Sequence, residues 1–240
     1  MAERFHAARR DPSLTVIEGF HALKHALRFG AEVLEAATAD LDELRVLAER
    51  LAPDIGDLLT EVELVDAETF GSLVPATPPT GVVAIARRRV ADVAAMLAGP
   101  GPMVLLEEPR RLGNVGAVIR SAAAAGAAGV LTTGDADPWH PAAVRGAAGL
   151  QYAIPVARIA RLPGTDRPLV AVHPDGDELT SGAIPGRAVL AFGSERDGLS
   201  EELLAQADHR LAIPMRPGVS SLNLGAAVAV TLYAWRLGRA

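Results

Sequence analysis

The residues best suited to chemistry lie in three short segments of the second half of the chain. Each segment joins a glycine-containing turn to polar side chains: GNVGAVIR at 113–120, FGSERDGLS at 192–200 and IPMRPGVSSLNLGAAVAV at 213–230. Glycine lets a ligand approach the backbone closely, and a helix that starts at such a turn presents free N–H groups to an anion. The three segments therefore place amide, hydroxyl, carboxylate and guanidinium side chains in loops at the ends of predicted strands, where ligands bind in α/β folds.

Each segment also has a purely structural interpretation. Asn114 is explained as the cap of an ordinary strand-to-helix turn, and Ser200 and Ser221 as caps of the helices that follow them. Capping leaves Gly193 and Glu195 without a role, so the structural interpretation covers only part of the pattern.

Several familiar chemistries are excluded by what the sequence lacks. With no cysteine, the chain has no thiolate nucleophile and no thiolate metal site. No glycine fingerprint of a dinucleotide site, no P-loop, no H-E-x-x-H and no G-x-S-x-G occurs. His21 and His25 are four residues apart on one helix face, but a third ligand is missing nearby, so we expect no metal.

The charge is unevenly distributed along the chain. The net charge is −6, with 10 Lys+Arg against 16 Asp+Glu in residues 1–99 and 13 against 13 in residues 100–240. Lys24 is the single lysine among 23 cations. The planar fork of arginine suits phosphate, although a coding bias towards arginine explains the same count.

We expect a globular protein of the cytoplasm. Its 240 residues allow one large or two modest domains, and half of them are apolar. The longest apolar run, near 225–235, is far shorter than the roughly 18 residues that cross a bilayer. The first 13 residues carry positive charge without a following apolar stretch, which is not typical of a secretory signal.

The elements that position these residues divide into two predicted domains. Residues 1–88 predict a small α/β domain, with an amphipathic helix at 41–51 and strands near 16–17, 62–65 and 81–86. Two glycines and two prolines at 99–102 cannot continue a helix, so we predict a linker over 89–101. From 102 to 240, strands and helices alternate, which predicts a mostly parallel sheet with helices on both faces.

The last predicted helix, 222–237, is apolar on every side. A terminal helix of this kind is buried most readily against a second copy of the chain. We therefore predict a homodimer with isologous contact.

Taken together and in this order, the three segments resemble the SpoU (TrmH-type) family of RNA ribose 2′-O-methyltransferases, within the SPOUT superfamily. The resemblance continues through DPWHPAAVRGAAGLQYAIPV at 137–156 and covers essentially residues 103–238. It implies a trefoil-knotted catalytic domain, S-adenosylmethionine as cofactor and a dimer that completes the site. IEGFHALKHAL at 17–27 more loosely resembles the ribosomal-protein-like RNA-binding domain that precedes this catalytic domain in many such enzymes.

The resemblance assigns roles to individual residues. It implies that the cofactor is held by Gly193, Ile213, Met215, Ser221 and Leu222, and that the polar catalytic set is Asn114, Arg120, Glu195, Ser221 and Asn223. The family commonly has Asp-Pro just before its first Asn, whereas this chain has Glu108-Pro109 and a longer approach.

Arg120 is the residue to which the family's mechanism often gives the part of general base. A neutral guanidinium at pH 7 costs roughly 7–9 kcal/mol, so we expect Arg120 to stay charged, anchoring a phosphate and stabilising the developing alkoxide. Candidate contacts to the backbone of ribosomal or transfer RNA are Arg9, Arg10, Arg28 and Arg145, for which scattered solubilising charge is the alternative.

Two other functions compete with the enzyme. A non-catalytic RNA-binding or ribosome-assembly protein would need the fold but not the polar set. A nucleotide-dependent oxidoreductase would need a glycine fingerprint that the chain lacks.

Overall fold

The computed structural model describes residues 1–59 and 61–239. Contacts divide the chain into two compact units. The first unit comprises Met1–Arg89 and Trp139–Ala153, and the second comprises Val90–Pro138 and the chain from Ile154 onward.

The first unit is built on a four-stranded mixed sheet in the order β1-β4-β2-β3. Strand β4 lies antiparallel to both β1 and β2, and β2 lies parallel to the short β3. Its core includes Phe5, Val16, Phe70, Leu73 and Ile85. The strands are β1 (Leu14–Glu18), β2 (Val33–Thr38), β3 (Glu63–Leu64) and β4 (Val82–Arg87), and the helices are α1 (Ala2–Ala8), α2 (Phe20–Arg28), α3 (Leu41–Leu51), a 3-10 helix (Pro53–Leu59) and α4 (Ala67–Leu73).

The segment Trp139–Ala153, which holds α7 (Pro141–Gly146) and the 3-10 helix Leu150–Tyr152, packs in the first unit. Thr15 Oγ1 donates to the carbonyl of Trp139 at 2.8 Å, and Arg145 Nη1 donates to Glu18 Oε2 at 2.5 Å. Gly149 lies so close to the backbone of Ala22 that a Cβ would overlap it. The sequence predicts one continuous domain over 102–240, and these specific contacts are the reason that the structure differs.

The second unit is built on a six-stranded, fully parallel sheet in the order β10-β8-β9-β5-β6-β7. Alternate residues of a strand face opposite sides of a sheet, and in β5 both sets are buried, so the sheet is covered on both faces. The strands are β5 (Met103–Leu106), β6 (Gly129–Thr132), β7 (Val156–Arg158), β8 (Leu169–Glu178), β9 (Val189–Phe192) and β10 (His209–Ala212), and the helices are α5 (Val93–Ala98), α6 (Leu112–Ala125), α8 (Glu201–Gln206) and α9 (Leu224–Leu237). The predicted α/β fold with a parallel sheet is confirmed, and the knot stays a prediction.

Helix α5 lies within residues 89–101, where the sequence predicts a linker. Asp92 caps this helix by accepting from the N–H of Ala95. Met96 and Leu97 are buried in the same core cluster as Met103. The glycines and prolines that suggested a linker follow this helix and connect it to β5.

Candidate active site

A cavity of about 680 Å³ opens in the second unit where β9 ends and α9 begins. Parallel α/β sheets commonly bind ligands at the carboxyl ends of their strands, and this cavity lies at such an end. Its walls are residues 172–174 of β8, residues 192–199 at and after the end of β9, residues 221–224 and 227 at the start of α9, and Arg111 and Asn114 at the start of α6.

A tight loop follows β9 and forms one wall of the cavity. Ser194 and Gly198 exchange backbone hydrogen bonds of 3.0 and 3.1 Å, and Gly198 has φ +73°. A Cβ on Gly193 would overlap the backbone of Gly198 and Leu199. Only glycine fits at position 193, which explains a residue that capping left without a role.

Three of the predicted polar residues form one hydrogen-bonded chain across the cavity wall. Asn114 Nδ2 donates to Glu195 Oε1 at 2.7 Å, and Asn223 Nδ2 donates to Asn114 Oδ1 at 3.1 Å. Asn223 Oδ1 in turn accepts from the N–H of Gly225 at 2.9 Å, at the start of α9. The chain of bonds fixes both amide orientations and joins the first, second and third segments.

Glu195 is held as a carboxylate. Burial alone would raise its pKa, but the backbone N–H groups of Arg110 and Arg111 and the amide of Asn114 donate to it, and together they lower the pKa below its ordinary value. Arg110 also forms an ion pair with Asp197, with 2.5 Å between Nη2 and Oδ2. A carboxylate with a lowered pKa is a poor base, so its main effect is to hold Asn114 in place.

The five residues predicted to hold a cofactor line this cavity and a smaller one beside it. Gly193, Ser221 and Leu222 line the larger cavity. Ile213 and Met215, together with Ser221 and Leu222, line the smaller one, of about 140 Å³. The two cavities share the walls at 172–174, 221–222 and 227, so one elongated ligand with an apolar and a polar part would fit both.

Arg120 does not line either cavity of the single chain. It lies six residues beyond Asn114 on α6, which turns it about 240° around the helix and carries it about 9 Å along the axis. Its side chain is exposed, and it makes no hydrogen bond or ion pair with residues 1–59 or 61–239. Its catalytic role stays a prediction.

Three of the four arginines predicted to contact RNA have carboxylate partners within the first unit. Arg9 and Arg145 both donate to the buried Glu18, at 2.8 and 2.5 Å, and Arg28 forms a two-point ion pair with Asp54. The Arg145 side chain is still 56% exposed, whereas that of Arg9 is 19% exposed. Arg10 is exposed and has no side-chain partner among the described residues.

Among the cavity residues that sequence reasoning missed is a histidine of β8. His173 lies within β8 and lines both cavities. The feature of the sequence that could have indicated it is the Pro174 and Gly176 that follow, since both residue types disturb a regular strand.

The described part of the chain holds neither a candidate metal site nor a candidate membrane-spanning helix. No group of three or more histidine or acidic side chains is placed to hold a metal ion among residues 1–59 and 61–239. Within those residues, no helix is long and apolar enough to cross a membrane.

Comparison with known proteins gives a consistent assignment. Residues 101–233 match the SpoU rRNA Methylase family. An uncharacterised tRNA/rRNA methyltransferase of Synechocystis sp. is 31% identical over 94% of this chain and 84% of that protein. A 23S rRNA (adenosine(1067)-2′-O)-methyltransferase of Streptomyces laurentii is 29% identical over 91% of this chain and 84% of that protein.

A solved structure agrees with the sequence match along nearly the whole chain. The crystal structure of an AdoMet-bound rRNA methyltransferase from Sinorhizobium meliloti is 25% identical, with a TM-score of 0.75, and covers 97% of this chain and 92% of that one. Because the match spans more than half of the chain and includes the segments that build the cavity, this chain belongs to the SpoU rRNA methylase family.

Proposed function

We propose that this chain is an S-adenosylmethionine-dependent methyltransferase that methylates a ribose 2′-hydroxyl of ribosomal or transfer RNA. The observation that carries the proposal is the hydrogen-bonded chain Glu195–Asn114–Asn223 on the wall of a cavity at the strand ends. A protein that only bound RNA would have no need for an ionised carboxylate held in this way. Such an enzyme would work in the cytoplasm.

The residues present fit the cofactor. Ile213, Met215 and Leu222 offer an apolar surface in the smaller cavity, which suits a purine ring. The larger cavity offers Ser221 and the backbone of Gly193, which suit the polar amino-acid end. When bound, S-adenosylmethionine supplies a methyl group activated by its sulfonium, so transfer needs no metal.

The protein's own part is to align the ribose hydroxyl with that methyl group. Alignment of two reactants supplies several kcal/mol, up to roughly 7–11 in the best cases. Glu195 stays ionised and orients Asn114, whose remaining amide N–H is free to hold the acceptor ribose. Arg111 and Arg196 also line the cavity and are placed to bind the flanking phosphates.

A homodimer accounts for two features of the single chain. Val230, Tyr233 and Leu237 of α9 are 46%, 40% and 71% exposed and follow one another at spacings of three and four, which makes a continuous apolar stripe. Helix α6, which carries Arg120 without a side-chain partner in the part of the chain that the structure describes, packs against α9. We place a second copy on this stripe, and its Arg120 in the cavity of the first copy.

A methyl-transfer assay tests the function. Purified protein is incubated with S-adenosylmethionine carrying a labelled methyl group and with ribosomal or transfer RNA, and the digested nucleosides are separated. We expect label in a 2′-O-methylated nucleoside for wild type, and a loss of at least tenfold for Asn114→Ala. Label on a base, or cofactor binding without any transfer, would contradict the proposal and favour a non-catalytic RNA-binding protein.

A further inference from the structure

Strand β8 is interrupted beside the two cavities. In the ladder with β10, Arg210 pairs with Ala171 but the next residue, Leu211, pairs with Asp177. The five residues 172–176 therefore bulge out of the sheet. Gly176 closes the bulge against β10, where a Cβ would lie 2.5 Å from the carbonyl carbon of Arg210.

The bulge places His173 at the junction of the two cavities. Val172, His173 and Pro174 line both the smaller apolar cavity and the larger polar one. The His173 side chain is 25% exposed. A strand without the bulge would keep its alternation and would not bring three consecutive residues to one ligand.

A local hydrogen bond sets the proton position on the His173 ring. The backbone N–H of Asp175 donates to His173 Nδ1 at 3.2 Å. In a neutral imidazole, one nitrogen accepts and the other carries the proton, so Nε2 is the N–H donor. The Asp175 carboxylate lies 3.8 Å from Nδ1 but is itself 82% exposed, so water screens it.

We propose, resting on the function above, that His173 is a cofactor-binding residue whose Nε2–H donates to the adenosine half of S-adenosylmethionine. The smaller cavity that His173 shares has the apolar walls Ile213, Met215 and Leu222, which suit a purine. The ribose and the ring nitrogens of adenosine are hydrogen-bond acceptors at the edge of that purine. The groups that face the acceptor, Asn114 and Glu195, line only the larger cavity.

Binding measurements on the whole protein test this assignment. Calorimetric titration with S-adenosylhomocysteine and with 5′-methylthioadenosine, which lacks the amino-acid end, compares wild type with His173→Leu and His173→Gln. We expect the leucine variant to weaken both ligands equally, by about three- to tenfold, the value of one neutral hydrogen bond. Glutamine places an amide N–H near the position of Nε2, so we expect its affinities within about twofold of wild type.

Two further readouts separate a role for His173 from a general disturbance. His209→Leu, at an exposed histidine on β10, should leave both affinities unchanged. Long-range ¹H–¹⁵N spectra of the ligand-free protein should show the Nε2–H form for the resonance that His173→Gln removes. Wild-type affinity in His173→Leu, or a loss confined to S-adenosylhomocysteine, would overturn the assignment. Wild type that bound neither ligand would instead contradict the proposed function.

Discussion

Asn114, Glu195 and Asn223 gain their geometry from one another. Each Asn amide uses its oxygen and one N–H within the chain of bonds, which leaves one N–H on each for a ligand. The ionised state of Glu195 is what makes this orientation of Asn114 the stable one.

Glu195→Gln tests that dependence on charge. The substitution keeps the size of the side chain but turns one acceptor oxygen into an NH2 group that faces the N–H donors of Arg110 and Arg111. We expect kcat to fall at least about tenfold while the cofactor Kd changes by less than about threefold. Glu201→Gln, at an exposed position on α8, is the matched control and should behave as wild type.

The lowered pKa of Glu195 also predicts a pH dependence of stability. A carboxyl whose folded-state pKa lies below its ordinary value of 4.5 stabilises the fold above that value, and the contribution is lost as the pH falls through the folded-state pKa. The difference in free energy of unfolding between wild type and Glu195→Gln should be constant from about pH 8 to about pH 6 and shrink below about pH 4.5. Urea unfolding at a series of pH values measures it, and a difference that stayed flat down to about pH 3 would speak against the ionised state.

Arg167 is a buried cation with a structural task. It is 3% exposed, and its guanidinium donates to five carbonyls, including Leu97 at 2.6 Å, Gly99 at 2.5 Å and Gly101 at 2.7 Å. Four of these carbonyls belong to the end of α5 and the turn that follows it, and the fifth, that of Arg187, lies just before β9.

Replacement by leucine would take a donor away from each of these carbonyls, of which that of Leu97 keeps a second donor, Arg187 Nη2 at 3.2 Å. We expect Arg167→Leu to lower the free energy of unfolding by about 3 kcal/mol or more. Lysine has fewer N–H donors than arginine but more than leucine, so we expect the stability of Arg167→Lys to lie between wild type and the leucine variant. Urea unfolding monitored by circular dichroism gives the values. A loss below about 1 kcal/mol for the leucine variant would show that the guanidinium is not needed there.

At the scale of elements, the loop after β9 leaves no room for a side chain at position 193. A Cβ at Gly193 would overlap the opposite backbone, which is not able to move without breaking the two hydrogen bonds between Ser194 and Gly198. We expect Gly193→Ala to lower the free energy of unfolding by about 2 kcal/mol and to weaken cofactor binding. Gly164→Ala, where a Cβ would meet nothing within 4 Å, is the control. Equal behaviour of the two variants in unfolding and calorimetry would contradict the argument.

Elements with local signals were predictable from the sequence. Helix α3 has the predicted bounds because its apolar spacing and its Asp40 cap are both local, and Ser200 caps α8 as predicted. The bulge in β8 depends on its pairing with β10, and α5 depends on the core beneath it. Such contacts join residues far apart in sequence, so the spacing of apolar residues within one segment does not predict them.

Some residues of the candidate site could be predicted from the sequence, and others could not. Asn114, Glu195 and Asn223, which the structure brings together, were predicted because their segments carry glycine turns and resemble a family. His173 was missed because its place is set by the bulge. Arg9 and Arg28 were predicted to contact RNA, but single positions in a sequence do not reveal the carboxylates of Glu18 and Asp54 beside them.

At the scale of the whole molecule, one chain holds an incomplete set of the expected groups. The cavity brings together the amides, the carboxylate and the cofactor walls, and Arg120 lies outside it on α6. The exposed stripe on α9 offers a surface for a second copy. The central claim is that a methyl-transfer site is formed by Asn114, Glu195 and Asn223 of one copy with Arg120 of the other.

Subunit complementation tests that claim most directly. Arg120→Ala and Glu195→Gln, each nearly inactive alone, are mixed after reversible dissociation, and methyl transfer to RNA is measured. In a mixed dimer, one site combines an intact Glu195 with the other copy's Arg120, so random pairing should restore about a quarter of wild-type activity. A mixture no more active than its two components would place both residues in the same copy's site, or in none, and would contradict the account.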